Sequence, residues 1–135
     1  LPALKEHRHK VSVASDPPVA ELVVRGDRDK LVCLVRNLLD NAARYSPAGS
    51  AIRIDLAERA DGVALAVSDQ GPGIPPELRE RVFESYYRIP GSPGGGSGLG
   101  LAIVREIAAE HGARVVLGAG DGGRGTRVSV TFGEA

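Results

Sequence analysis

Between Arg28 and Tyr45 the apolar residues Leu31, Leu34, Val35, Leu38 and Ala42 return at helical spacing, so a long amphipathic helix must lay one stripe against a partner. Asp27 is placed to cap its start, and Ser46-Pro47 to stop it. The segments that follow offer the partner. Ala51 to Glu58 alternates apolar and polar residues, Gly62 to Ser68 is more continuously apolar, and Asp61-Gly62 between them signals a hairpin. Upstream, valine-rich Lys10–Ala14 and Glu21–Arg25, separated by Pro17-Pro18, read as two strands joined through a turn. Downstream, Pro76–Phe83 reads as a short helix and Gly98–His111 as a longer one closed by Gly112. Arg114–Leu117 and Thr126–Phe132 read as the last strands. The expected fold is α+β: a two-layer sandwich in which a mixed β-sheet carries helices on one face and leaves the other to solvent. At 135 residues the chain has the size of one domain. We expect that domain to run from residue 10 to 135, behind a short lead-in of residues 1–9.

Charge narrows the function. Seventeen basic residues balance seventeen acidic ones, so no overall field draws the chain to nucleic acid or to an anionic membrane, and any phosphate must be held locally. The only cysteine, Cys33, lies in the helical stretch; a disulfide framework and a cysteine zinc site are both excluded, and a reducing compartment fits. His7, His9 and His111 lack metal-site spacing. No apolar run reaches membrane-spanning length, and Leu1–Lys10 lacks the apolar core of a signal peptide. All three lysines, Lys5, Lys10 and Lys30, precede the glycine-rich segments, which rules out a P-loop lysine.

Three stretches carry chemistry. Asn37 and Asn41 are the only asparagines and fall four residues apart on one helical face, extended by Arg44 and Tyr45. Amide oxygens there suit a hard cation such as magnesium and the guanidinium suits phosphate, although a solvated helix face would show the same spacing. Asp69-Gln70-Gly71-Pro72-Gly73 sets a carboxylate at a strand end, followed by glycines that let a ligand approach the backbone. Such a carboxylate would accept from the exocyclic amine of adenine and repel the guanine oxygen; an Asp-Gly turn with no ligand is the plain alternative. Gly94-Gly95-Gly96-Ser97-Gly98-Leu99-Gly100-Leu101 opens into a helix, so free backbone amides would converge on an anion, or the stretch is simply a flexible linker. Gly120–Gly125 fits the dinucleotide pattern G-x-G-x-x-G, as does Gly118–Gly123, but that fingerprint needs a helix next and an alternating strand follows. We read both matches as local glycine density.

In this order the motifs resemble those of the histidine kinase ATPase domain, whose superfamily includes gyrase-type ATPases. Asn37-Leu38-Leu39-Asp40-Asn41-Ala42 resembles the family's asparagine box, Asp69–Gly73 its first glycine box and Phe83–Arg88 its phenylalanine box. Gly96–Leu101 resembles the second glycine box, and Gly123-Arg124-Gly125-Thr126 the last. The resemblance implies a Bergerat-type fold that binds ATP with Mg2+ between the first long helix and a lid, here Ile89–Ser97. It implies Asn41 at the metal, Asn37 and Arg44 assisting at metal or phosphates with Arg88, Tyr45 over the adenine and Asp69 on its amine. Gly71, Gly73, Ile74, Tyr87 and Thr126 would line the nucleotide, and Gly96, Ser97, Gly98, Leu99, Gly100 and Leu101 the phosphate channel. Arg44 stands where lysine is common, and Ser85-Tyr86 where arginine and phenylalanine are.

Hydrolytic relatives and anti-sigma serine kinases resemble each other in placing a glutamate base where this chain has Asn37, and an amide cannot take a proton from water. The resemblance therefore favours a sensor histidine kinase whose acceptor histidine sits on a separate dimerisation domain, for relay to a response regulator. An anti-sigma-type serine kinase and a non-catalytic nucleotide-binding module are the alternatives. The family pairs its acceptor histidine with a following acidic residue, whereas His7, His9 and His111 precede Arg8, Lys10 and Gly112. The expectation is thus an ATP-binding half, monomeric by itself, within the cytoplasmic part of a membrane-anchored sensor and without contact to nucleic acid or lipid.

Overall fold

A computed structural model of the chain describes residues 4–5, 8–89 and 98–133. Among the described residues the elements that build the domain follow one another as β1 (Lys10–Asp16), α1 (Arg28–Tyr45), β2 (Ala51–Arg59), β3 (Gly62–Ser68), α2 (Gly100–Glu110), β4 (Arg114–Ala119) and β5 (Thr126–Phe132). The sheet order is β1-β2-β3-β5-β4. β1 and β2 run parallel, connected through α1, and every other pair is antiparallel. This is the mixed sheet expected of the α+β sandwich.

α1 begins where Asp27 accepts a hydrogen bond from the Lys30 amide at 3.0 Å, and it ends where Ser46 bonds back to the Ala42 carbonyl with its backbone N–H and its hydroxyl. Its stripe of Leu34, Leu38, Ala42 and Ala43 is buried against Ile52 of β2, Leu65 and Val67 of β3, and Val128, Val130 and Phe132 of β5. α2 adds Leu101, Val104, Ile107 and Ala108 to the same core. Burying one such leucine contributes about 1.5–3 kcal/mol, so both helices are held to this face chiefly by their stripes. The opposite face is polar: Arg127 of β5 donates to Asp55 Oδ2 at 3.1 Å and to Ser68 Oγ at 2.9 Å, and Arg53 pairs with Asp55 at 2.9 Å.

Three expectations need correction. Glu21–Arg25 is not a strand; Val19–Glu21 forms a 3-10 turn and no ladder follows. Valines favour extended backbone but do not choose a pairing partner, and β1 takes β2 instead. Pro76–Phe83 is not one helix but two 3-10 turns, Pro76–Leu78 and Arg81–Phe83, closed by i→i+3 bonds such as Leu78 N–H to Pro75 O at 2.9 Å. The second helix starts at Gly100 rather than Gly98, because Gly98 has φ +77, which no right-handed helix accepts. The lead-in segment is fastened to the domain as well: Leu4 packs on the core, and the His9 ring lies 2.8 Å from Ala43 O and 2.9 Å from Ser50 O.

His111 ties the two helices together. Its Nε2 accepts from the Asp27 N–H at 3.0 Å, which assigns the ring proton to Nδ1, and Nδ1 donates to Ile107 O at 2.8 Å. One ring thus serves the start of α1 and the end of α2. His111→Ala is expected to cost about 1–2 kcal/mol by leaving one donor and one acceptor unmade, read as a lower urea midpoint with unchanged slope.

Candidate functional site

Three chain ends converge on the core side of the sheet: the second half of α1, the loop after β3, and the start of α2. Gly71 packs its α-carbon against the Tyr45 carbonyl, where an added Cβ would collide. A Cβ at Gly100 would lie 3.5 Å from Asn37 Oδ1, so Asn37 faces the first turn of α2. The first glycine motif and the N-terminus of α2 therefore meet different parts of one asparagine-bearing helix.

The two asparagines are not equivalent. Asn37 Nδ2 donates to Cys33 O at 2.8 Å and lies 3.4 Å from Cys33 Sγ, which leaves its Oδ1 toward the first turn of α2. Asn41, half-buried one turn on, makes no side-chain hydrogen bond among the described residues, so its whole amide is available to a ligand. Arg44 Nε bonds Asp40 Oδ2 at 2.9 Å, an i,i+4 pair that holds the guanidinium along the helix.

Asp69 is 9% exposed. Its Oδ1 accepts from the Gly71 N–H at 2.9 Å and the Thr126 N–H at 3.1 Å, and its own N–H donates to Thr126 O at 2.9 Å. Oδ2 accepts nothing among the described residues and reaches solvent, since no buried side-chain oxygen there lacks a partner. One oxygen anchors the carboxylate while the other is presented. Burial pushes the Asp69 pKa above its ordinary value of 3.8, opposed in part by the Gly71 and Thr126 bonds and by the His9 charge.

The helix ends differ in the same sense. α1 is capped by the Asp27 carboxylate, whereas α2 starts after the apolar Leu99, and the first N–H groups of α2 carry the positive end of its dipole. Leu101 sends its side chain into the core. Gly98 is locked against Tyr86, whose N–H donates to Gly98 O at 2.8 Å and which itself has φ +67. Tyr87 packs on the core under the Arg81 guanidinium, 4.6 Å from its ring, and Ile74 packs there too; Arg88 is exposed. Gly96, Ser97 and all of the expected lid except Ile89 lie outside the described residues.

Sequence reasoning missed the supports of these groups. The Cys33–Asn37 and Asp40–Arg44 contacts were open to it, because spacing i,i+4 puts such pairs on one helical face. The Gly120–Gly125 segment, read as glycine density, is in fact a tight turn: Asp121–Gly123 is a 3-10 turn and β5 follows, so no dinucleotide fingerprint exists there. Gly125 and Gly120 instead pack their α-carbons toward the Asp69 carbonyl.

Comparison with known proteins matches residues 26–135 to the family described as histidine kinase-, DNA gyrase B-, and HSP90-like ATPase. The chain is 45% identical over 108 residues to the swarming motility regulation sensor protein RssA of Serratia marcescens, covering 78% of this chain and 23% of that protein. It is 51% identical over 100 residues to the sensor protein QseC of Escherichia coli K12, covering 73% and 21%. It thus spans about a quarter of the length of the curated relatives it matches. Among solved structures, a mycobacterial sensor histidine kinase, MprB, superposes with TM-score 0.82 at 34% identity, covering 98% of this chain and 90% of that one. Full-length ShkA in complex with AMPPNP superposes with TM-score 0.80 at 29% identity, covering 99% and 28%.

Proposed function

This chain belongs to the histidine kinase-, DNA gyrase B- and HSP90-like ATPase family, as the catalytic ATP-binding domain of a sensor histidine kinase, and from that premise we propose that it presents the γ-phosphate of ATP to a histidine on a separate dimerisation domain. A response regulator would then receive the phosphoryl group from that histidine. The sensor proteins among its relatives support a cytoplasmic position for this domain within a sensor protein; among the described residues no helix is long and apolar enough to cross a membrane.

The observation that carries the reading is the division of labour at Asp69: Oδ1 is satisfied by two backbone N–H groups, while Oδ2 is presented. A fixed, half-desolvated acceptor of this kind selects a donor, and the adenine amine is one. The positive N-terminal end of α2 would receive phosphate oxygens, with Arg44 and Arg88 adding charge. Asn41 would hold magnesium, which supplies charge neutralisation on the triphosphate, and the Oδ1 of Asn37, facing the first turn of α2, would assist. Gly71, Gly73, Ile74, Tyr45, Tyr87 and Thr126 complete the proposed nucleotide lining. Asn37 offers no base, so the chain's part in transfer is position and electrostatics; this weighs against a serine kinase that uses a glutamate there.

The test is nucleotide preference. The wild-type chain is expected to bind ATP in preference to GTP, and Asp69→Asn to weaken ATP by about tenfold, the order of one charge-assisted hydrogen bond, with GTP little changed. Equal calorimetric affinities for ATP and GTP in the wild type contradict the base-reading role. The raised Asp69 pKa adds an arm of opposite signs. As pH falls through the raised folded value, Asp69 takes a proton and ATP affinity drops. Folding gains, because the cost of burying a charge is relieved, and that gain is complete below the ordinary 3.8. Neither change is expected in Asp69→Asn.

A further inference from the structure

Asp69 is held from behind by a turn that lies beyond the recognised acidic motif. Gly125 has φ +73, and a Cβ there would collide with the Asp69 carbonyl and come within 3.1 Å of its Oδ1. A Cβ at Gly120 would collide with Arg124 O and lie 3.1 Å from Asp69 O. The turn is closed by Gly123 N–H to Gly120 O at 3.0 Å and Gly120 N–H to Gly125 O at 3.3 Å. It delivers directly into Thr126, whose N–H is one of the two anchors of Oδ1 and whose carbonyl receives the Asp69 N–H. Gly73, on the loop after β3, completes the contact, since a Cβ there would lie 3.0 Å from Gly125 O.

We propose that the Gly120–Gly125 turn determines nucleobase specificity, with Gly120 and Gly125 as positioning residues that fix the direction in which Asp69 presents Oδ2. The proposal rests on Asp69 reading the adenine amine. Two backbone segments distant in sequence touch at α-carbon distance only because neither glycine has a side chain. A methyl group at Gly125 must push the turn away from the Asp69 backbone, and one at Gly120, colliding with Arg124 O and tight against Asp69 O, must shift the turn that delivers Thr126 and with it the N–H that orients the carboxylate. A hydrogen bond to a base amine is directional, whereas the phosphate end, held by α2 and α1, is not reached by this displacement. Recognition of the base should therefore fail while recognition of the triphosphate survives.

The experiment measures, by calorimetry with magnesium present, the Kd of this chain for ATP, GTP and inorganic tripolyphosphate in the wild type, Gly120→Ala, Gly125→Ala and Gly118→Ala. Gly118 is in β4 with open space around its α-carbon and serves as control. Gly120 has φ −76, so its alanine variant meets only the contact and not backbone strain; it keeps the test open if Gly125→Ala does not fold. The expected result for Gly120→Ala is an ATP Kd raised about tenfold, with GTP and tripolyphosphate unchanged, so that the ATP preference collapses to that of Asp69→Asn. Gly118→Ala is expected to match the wild type. An unchanged ATP-to-GTP ratio in Gly120→Ala overturns the proposal, as does parallel weakening of all three ligands, which would mark the turn as scaffold alone. A wild type without preference for ATP sinks the base-reading role itself, and is thereby told apart from failure of the turn.

Discussion

Asn41→Ala is expected to raise the Kd for Mg-ATP on the order of 100-fold, about 2.8 kcal/mol, while leaving the melting temperature close to that of the wild type. The size follows from the geometry of α1. Asn37 has already committed its amide nitrogen to Cys33 O, and Arg44 its Nε to Asp40, whereas Asn41 has no side-chain hydrogen bond within the described fold. Truncating it removes no hydrogen bond within the described fold, so stability has little to lose. A ligand oxygen facing a divalent cation is lost with no replacement on that face, since a cation displaced by one helical turn would leave the triphosphate. Calorimetry with and without magnesium separates the roles: the effect should vanish when the metal is omitted. An Asn41→Ala chain that binds Mg-ATP as the wild type does would remove Asn41 from the metal.

Incubated with labelled ATP, this chain is expected not to label itself, and to label a helical domain bearing the kinase's acceptor histidine when that is added in trans. Two of its three histidines are occupied in the fold. Both ring nitrogens of His9 lie against carbonyl oxygens, and both nitrogens of His111 are spent on Asp27 and Ile107, so neither presents a free lone pair as nucleophile. His7, outside the described residues, is followed by Arg8 rather than by an acidic residue. Transfer in trans should run slowly. A tethered acceptor enjoys an effective concentration in the millimolar range, so an acceptor supplied at about 10 µM should be labelled roughly 100-fold more slowly. Alkali-stable label mapping to His7, His9 or His111 would overturn the division of roles between the two domains.

Much of this was written locally. The stripe from Leu34 to Ala42, the cap at Asp27 and the stop at Ser46-Pro47 delimit α1, because capping and i,i+4 contacts involve only near neighbours. The turn at Ala60-Asp61, just ahead of Gly62, joins β2 to β3 for the same reason, and the strand after Gly125 excluded a dinucleotide fingerprint without any structure. The candidate site was legible as asparagines on one face, a carboxylate at a strand end and glycines before a helix. Long-range partnership was not. Valine content could not tell that Lys10–Asp16 would pair with β2 across α1 while residues 22–25 would pair with nothing, since pairing is decided by which edge the crossover delivers. Nor could spacing reveal that Asp69 takes its second anchor from Thr126, 57 positions away, or that Gly120 and Gly125 are small because the Asp69 backbone passes against them. Those contacts exist only once β3 and β5 lie side by side, so the aim of the carboxylate belongs to the packed sheet and not to the motif that contains it.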